Sequence, residues 1–199
     1  CNWVSSSDNM AASMDTQKRS EVEIYIFLAI SLDGFIARNN GEIDWLEKFN
    51  SDDPNEDYGF GEFFKRMDCL IMGRKSFEKV LSFEKWPYTG KPVQVLSQTL
   101  TSLPVTVSGL AEFAPKLTPH ELLDYWKGLG WQRIYLDGGE AARSFLECGF
   151  VKQLTLTRIP IILGTGKPLF GNTLPEIFLN HLHTKSFASG LVQSDYEVI

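Results

Sequence analysis

The sequence predicts an α/β protein with a mostly parallel central sheet, flanking helices and a C-terminal antiparallel hairpin. Three observations carry that prediction. Short β-prone apolar runs alternate with segments of helical period, two of those runs end in glycine-bearing turns, and the stretch Leu179–Ile199 reads as two strands. Alternating strands and helices favour parallel pairing, and a terminal hairpin supplies an antiparallel edge.

Glu21–Ile30 is a continuous apolar run closed by the turn signal Ser31-Leu32-Asp33-Gly34, and it reads as a central strand. From Asp57 to Met67, apolar side chains at Tyr58, Phe60, Phe63, Phe64 and Met67 recur at helical spacing, so a short amphipathic helix is expected despite its glycines. Cys69–Met72 follows as a short buried strand and Arg74–Leu81 as a second helix. The polar, aromatic loop Phe83–Pro92 leads to a strand at Val93–Leu96, and a further strand is expected at Val105–Val107. Pro119–Lys127 opens with proline and Glu121 ahead of the stripe Leu122, Leu123, Tyr125 and Trp126, a helix-start signature. Arg133–Leu136 is a strand, Gly139–Cys148 a helix stopped by Gly149, and Leu154–Ile162 a strand bent at Pro160. The terminal hairpin turns at Ser189-Gly190. No repeat or low-complexity linker divides residues 21–199, which read as one domain.

At 199 residues, 43% apolar and 22% charged, the chain can bury a full core. Its longest apolar run, Ile24–Ile30, is far shorter than the roughly 18 to 20 residues that span a bilayer, so no membrane partner is expected. Residues 1–20 lack an apolar signal region and read as a polar leader, tag or disordered extension. Cys1, Cys69 and Cys148 form no CxxC pair, which suits reduced thiols in a cytoplasmic setting. Between Glu42 and Asp57 stand seven acids and one base, a local net of −6 that equals the net of the whole chain. With the remainder balanced, no basic stripe is available for a phosphate backbone, and nucleic acid is not an expected partner.

Several motifs fail on their own chemistry. Asp53, Asn55 and Asp57 have the alternate spacing of a calcium loop, but Tyr58 and Phe64 stand where Gly and Glu are required. Gly164-Thr165-Gly166-Lys167 is followed by Pro168 where a phosphate loop needs Ser or Thr. His181 and His183 share a strand face without a neighbouring carboxylate or thiol, so no metal is expected.

Two turns survive. Leu70–Phe77 (LIMGRKSF) runs from a strand through Gly73 into a helix that opens with Arg74-Lys75-Ser76. Glycine lets backbone approach a ligand, a helix start offers free N–H groups at the positive end of its dipole, and arginine presents a planar fork to phosphate. The alternative is a plain strand-to-helix turn with solvated bases. Leu136–Leu146 (LDGGEAARSFL) repeats the arrangement with Gly138-Gly139. Two such turns at the carboxyl ends of strands in one sheet point to a dinucleotide better than either alone. Asp44 adjoins Trp45 and Leu46; if partly buried it would hold a raised pKa and relay a proton, and otherwise it would cap a helix. Asp33 has a similar pair of readings, its second being an Asp-Gly turn.

In order, AISLDGFIA at 29–37, IDWL at 43–46, LIMGRKSFE at 70–78, VLS at 95–97, DGGEAARSFL at 137–146 and LTLTRIPIILGTGKPLF at 154–170 resemble the dihydrofolate reductase-like superfamily. The chain is most similar there to stand-alone proteins related to the reductase domain of riboflavin biosynthesis, over about residues 22–199. The resemblance implies the dihydrofolate reductase-like fold, NADPH as cofactor, a small heterocyclic substrate reduced as by 5-amino-6-(5-phosphoribosylamino)uracil reductase, and a homodimer. By the same resemblance Ala29 and Ile30 would line the nicotinamide, and Gly73, Arg74, Lys75 and Ser76 would hold phosphates, with Arg74 on the 2′-phosphate. Leu96 and Ser97 would flank the adenosine, Gly138, Gly139, Glu140 and Ala141 would receive the pyrophosphate, and Asp44 would be the active-site acid. Two departures count against a pterin: Asp137 stands where dihydrofolate reductases usually have a third glycine, and Trp45 is adjacent to the acid instead of three residues on. No HxE or PCxxC deaminase signature is present, so only the reductase step is implied. The competing readings are a dihydrofolate reductase proper and a non-catalytic nucleotide-binding module, which would need no acid.

Overall fold

The computed structural model describes residues 21–49, 53, 56–171 and 174–199; the expected leader at 1–20 lies outside the described residues. Strand β1 (Glu23–Ser31) lies within the sheet, and its alternation sends Ile24, Ile26 and Ile30 into one hydrophobic cluster and Tyr25 and Phe27 into another. The chain then forms β2 (Phe35–Ala37), the single-turn helix α1 (Asp44–Glu47) and α2 (Phe60–Lys65). Next come β3 (Cys69–Gly73), α3 (Arg74–Leu81), β4 (Val93–Leu96), β5 (Glu112–Phe113) and α4 (Pro119–Gly128). The remainder is β6 (Arg133–Asp137), α5 (Gly139–Glu147), β7 (Val151–Ile159), β8 (Lys167–Pro168), β9 (Leu179–Ser186) and β10 (Val192–Val198).

Eight of these strands form one sheet in the order β5-β4-β3-β6-β1-β7-β10-β9, while β2 pairs separately with β8. Pairing is parallel from β5 to β7 and antiparallel across β7-β10 and β10-β9, as the alternation and the terminal hairpin predict. Helices α4 and α5 cover one face, where Leu122, Trp126, Ala142 and Phe145 pack on Ile24, Ile71, Ile134 and Leu136. Helices α2 and α3 cover the other, where Phe63, Phe77 and Val80 pack on Leu70, Met72, Val93 and Val95. Strands buried on both faces explain why β3, β4 and β6 read as mostly apolar runs, broken in β4 only by the buried Gln94.

Local chemistry explains where the elements begin and where the expectations shift. Thr118 and Glu121 form a reciprocal capping box at the start of α4, the sequence's helix-start signal. The helix expected over 57–67 is trimmed to Phe60–Lys65 because the Asp57 carboxylate accepts the backbone N–H groups of Gly59 (2.9 Å) and Gly61 (2.8 Å), holding that stretch as a turn. Val105–Val107 is a turn of 3-10 helix instead of a strand; Val105 is 90% exposed, so the run has no apolar row to bury, and the edge strand is Glu112–Phe113. β7 begins at Val151 and ends before Pro160, which cannot donate to the ladder.

One buried polar contact ties α4 to the sheet. Gln94 and Trp126 are both fully buried; Gln94 Oε1 accepts the indole N–H of Trp126 at 2.8 Å, and its Nε2 donates to Glu112 at 2.7 Å. Gln94→Leu strands the indole N–H and should lower the unfolding free energy by about 1–3 kcal/mol in urea titration. Adding Trp126→Phe should return part of that loss, and an additive double variant would show that the two groups do not depend on each other.

Candidate functional site

Strand β6 lies between β3 and β1, and the helices that follow β3 and β6 leave toward opposite faces of the sheet. Open α/β sheets form their ligand crevice where neighbouring connections diverge in this way, beyond the carboxyl ends of the strands. Here that crevice is a cleft of about 880 Å³, near the upper end of the roughly 300–1,000 Å³ usual for small-molecule sites. Ala29, all of Gly73–Ser76 and all of Gly138–Ala141 line it, so nine of the residues singled out in the sequence come together. Ile30, Leu96 and Ser97 do not line it. Ile30 alternates into the core, and Ser97 Oγ accepts the N–H groups of Thr99 and Leu100 in a local turn.

The two glycine turns touch. A side chain at Gly138 would meet Ser76 Oγ at 2.5 Å, and the backbone there has φ +99°, a region that disfavours any other residue. A side chain at Gly139 would run into Ile36 of β2. The glycine pair therefore serves close packing of the chain on itself, while both glycines still line the cleft. At Gly73, by contrast, an added Cβ would meet only the Ala141 Cβ, at 4.0 Å. Ion pairs cross the cleft and line it: Arg74 with Glu78 (2.8 Å), Lys75 with Glu140 (3.0 Å) and Lys79 with Glu42 (2.7 Å).

Asp137, the last residue of β6, is legible in the sequence only as a departure from a third glycine, yet it lines the cleft as an acid without an ion pair among the described residues, unlike Glu42, Glu78 and Glu140. Burial pushes its carboxyl above the ordinary value, against the hydrogen bonds from Ser76, Tyr135 and the Gly138 N–H that favour ionisation. The Tyr135 hydroxyl lies 3.4 Å from Asp137 Oδ1 and 3.1 Å from the Phe27 carbonyl. Tyr88 also lines the cleft, and burial and Asp137 push its phenol upward.

Asp44 is neither buried nor a helix cap. Ile43 occupies the N-cap of α1, and the Asp44 carboxyl, half exposed, takes two hydrogen bonds from Arg38, at 2.6 and 3.0 Å. Those bonds hold it below its ordinary pKa. It borders a smaller recess of about 340 Å³ that shares Glu42, Ile43 and Leu46 with the main cleft. Asp33 resolves as a turn lock: it accepts from Ser31 Oγ (2.6 Å) and from the N–H groups of Leu163 and Gly164 (3.1 and 2.8 Å). Among the described residues no three His, Cys, Asp or Glu side chains gather as metal ligands, and no helix is long and apolar enough to cross a membrane.

Sheet order, the three layers and the position of the cleft define a protein of the dihydrofolate reductase-like fold. Residues 22–193 match the RibD C-terminal domain, and the chain belongs to that family. It is 32% identical over 175 residues to the uncharacterised protein YwjB of Bacillus subtilis (strain 168), covering 86% of this chain and 95% of that one. It is also 32% identical to the uncharacterised YyaP of the same organism, over 194 residues, covering 91% and 97%. Among solved structures, a chain from Shewanella sp. PV-4 named for riboflavin biosynthesis is 35% identical with a TM-score of 0.83, covering 89% of this chain and 99% of that one. The Thermotoga maritima deaminase and 5-amino-6-(5-phosphoribosylamino)uracil reductase shares the fold at 13% identity and TM-score 0.67, with 94% of this chain matching 59% of that one.

The raised pKa of Asp137 has a measurable sign. Its folded value lies above the ordinary 3.8, so the native state keeps a proton that the unfolded chain releases, and Asp137 lowers stability as pH climbs through that interval. Asp137→Asn cannot ionise. Its stability relative to the parent, read from urea midpoints, should therefore rise as pH climbs above the ordinary carboxyl value of 3.8; a flat difference would show that the carboxyl titrates as it does when unfolded.

Proposed function

We propose that the chain is an NADPH-dependent reductase of a small heterocyclic substrate, related to 5-amino-6-(5-phosphoribosylamino)uracil reductase. One observation carries the reading: two glycine-led strand-to-helix turns meet in a single cleft with a carboxyl held toward its protonated form. Bound NADPH supplies the hydride, and the protein supplies placement and a proton. The residues suit that cofactor, since α3 and α5 both start at the cleft and Arg74 and Lys75 stand at the first of those starts.

In this reading Gly73–Ser76 hold phosphates, with Arg74 on the 2′-phosphate, and Ala29 lines the nicotinamide. Gly138–Ala141 border the diphosphate. Leu96 pairs in register with Gly73, so the adenosine end extends over the end of β4 toward Leu96 and Ser97. Reduction of a C=N or C=O bond needs a proton at the atom beside the hydride acceptor, and Asp137 supplies it because its burial favours the protonated form. Asp44, kept ionised by Arg38, instead holds α1 at the cleft edge.

An absorbance screen of NADPH oxidation against a panel containing dihydrofolate and the ribosylaminouracil phosphate tests the activity. With the best substrate, Asp137→Asn should lower kcat about 10²- to 10⁴-fold, whereas Asp44→Asn should stay near parent turnover; the opposite pattern would return the proton to Asp44. A chain that binds NADPH but oxidises it with no panel member would favour a binding module. For the cofactor, Arg74→Ala should weaken NADPH by about tenfold, the lower end of a charge-assisted contact, because Glu78 must first release the guanidinium. NADH should bind unchanged, and equal losses would place Arg74 on a group that both cofactors share.

A further inference from the structure

The cleft gathers five cations, Arg74, Lys75, Lys79, Arg143 and Lys167, in a chain whose net charge is −6. Arg74, Lys75 and Lys79 each face a carboxylate, from Glu78, Glu140 and Glu42. Arg143 and Lys167 make no ion pair among the described residues. Arg143 is near enough to Glu140 to help hold that carboxyl below its ordinary pKa, but the ion pair of Glu140 is with Lys75. Two cations without a salt bridge of their own thus stand in one cleft of an acidic protein and suit an anion.

Their placement narrows which one. Arg143 lies on the second turn of α5, and its Nη1 donates to the carbonyls of Pro168 (2.8 Å) and Leu169 (3.1 Å), which pins the guanidinium against β8. Its Nη2 and Nε have no partner among the described residues. Nη1 also lies 3.3 Å from where a Gly139 Cβ would stand, at the start of α5. Lys167 reaches the cleft through the pairing of β8 with β2, opposite Ala37. Its Nζ lies 3.2 Å from where a Cβ on Gly41 would be, at a backbone φ of +91°.

We propose that Arg143 and Lys167 form an anion clamp that holds the diphosphate bridge of the dinucleotide from the β8 side of the cleft, an inference that rests on the cofactor reading above. The charge count agrees: two cations without a salt bridge among the described residues face a bridge with two negative charges. The direction agrees as well, because the clamp adjoins the free N–H groups at the start of α5, where an anion is favoured. Arg74 and Lys75 must give up a carboxylate to receive phosphate, whereas Arg143 and Lys167 are ready without exchange and Arg143 is already fixed in place. The clamp therefore supplies affinity common to both nicotinamide cofactors, and Arg74 supplies the preference for the phosphorylated one.

Isothermal titration of the full chain with NADPH, NADH and 2′-AMP tests this, since 2′-AMP carries the 2′-phosphate but no diphosphate. Lys167→Gln should weaken NADPH and NADH alike, by about tenfold, and leave 2′-AMP unchanged. Arg143→Lys retains a charge but loses the fork, and should weaken both cofactors again in combination with Lys167→Gln. Thermal midpoints that match the parent's show that these losses are not failures to fold. Unchanged affinity for both cofactors in Lys167→Gln overturns the clamp and leaves the cofactor reading intact. A loss confined to NADPH and 2′-AMP overturns it by moving the charge to the 2′-phosphate. If the parent chain binds neither cofactor, the reading beneath the clamp falls with it.

Discussion

The insertion of β6 between β1 and β3 is the constraint from which the other features follow. Once β6 lies there, its parallel neighbours bring the ends of β3 and β6 side by side, while α3 and α5 must cover opposite faces. Two helix starts then border one crevice, and the polypeptide between strand and helix has to turn with almost no space. That explains the chemistry of the turns. Gly138 is forced by its φ of +99° and by Ser76, and Gly139 by Ile36, before any ligand is considered. The same crowding buries Asp137 at the end of β6, so the raised carboxyl is a consequence of topology and not of a neighbouring charge.

Electrostatics in the cleft has a second layer. Lys75–Glu140 and Lys79–Glu42 join segments far apart in sequence, so they act as ties between α3, α5 and the stretch before α1. Exposed pairs of this kind contribute little to stability. In the proposed cofactor reading their larger effect is on binding, because each carboxylate would compete with an incoming phosphate for the same cation. An acidic chain can in this way keep cations in a cleft without presenting them all as an indiscriminate anion site.

Legibility in the sequence follows the range of the interactions involved. β3, β4 and β6 show as apolar runs because both of their faces are buried, and α4 shows through a cap closed within four residues, Thr118 to Glu121. The shift in α2 comes from Asp57, whose side chain turns the backbone just where apolar spacing alone suggests a helix. β2 and β8 have too few residues for any period and exist only because Phe35–Ala37 meets Lys167–Pro168 across the fold. In the site, the glycine turns were legible because their chemistry is local. Asp137 carried a signal, an acid where a glycine is usual, but its burial depends on strands and loops that no local window joins. Arg143 and Lys167 carried none, since their lack of a salt bridge among the described residues is a property of the assembled cleft.

The motifs that carry the family resemblance divide on inspection into those that build the cleft and those that face its contents. Asp33 ties the turn after β1 to the loop at Leu163–Gly164, and Gly138 and Gly139 close the turn after β6; these hold geometry. Trp45 is fully buried against Ile159 and Leu191, with Ala29 packed at its side, and so supports the floor without entering the cleft. The remaining wall includes Glu42, Ile43, Leu46, Lys79, Phe83 and Tyr88, of which Glu42, Lys79, Phe83 and Tyr88 belong to no motif. A family can therefore share the fold and the glycine-turn end of the crevice while its members differ at the other end, because the side chains there lie mostly in loops whose sequences the packing of the core does not constrain.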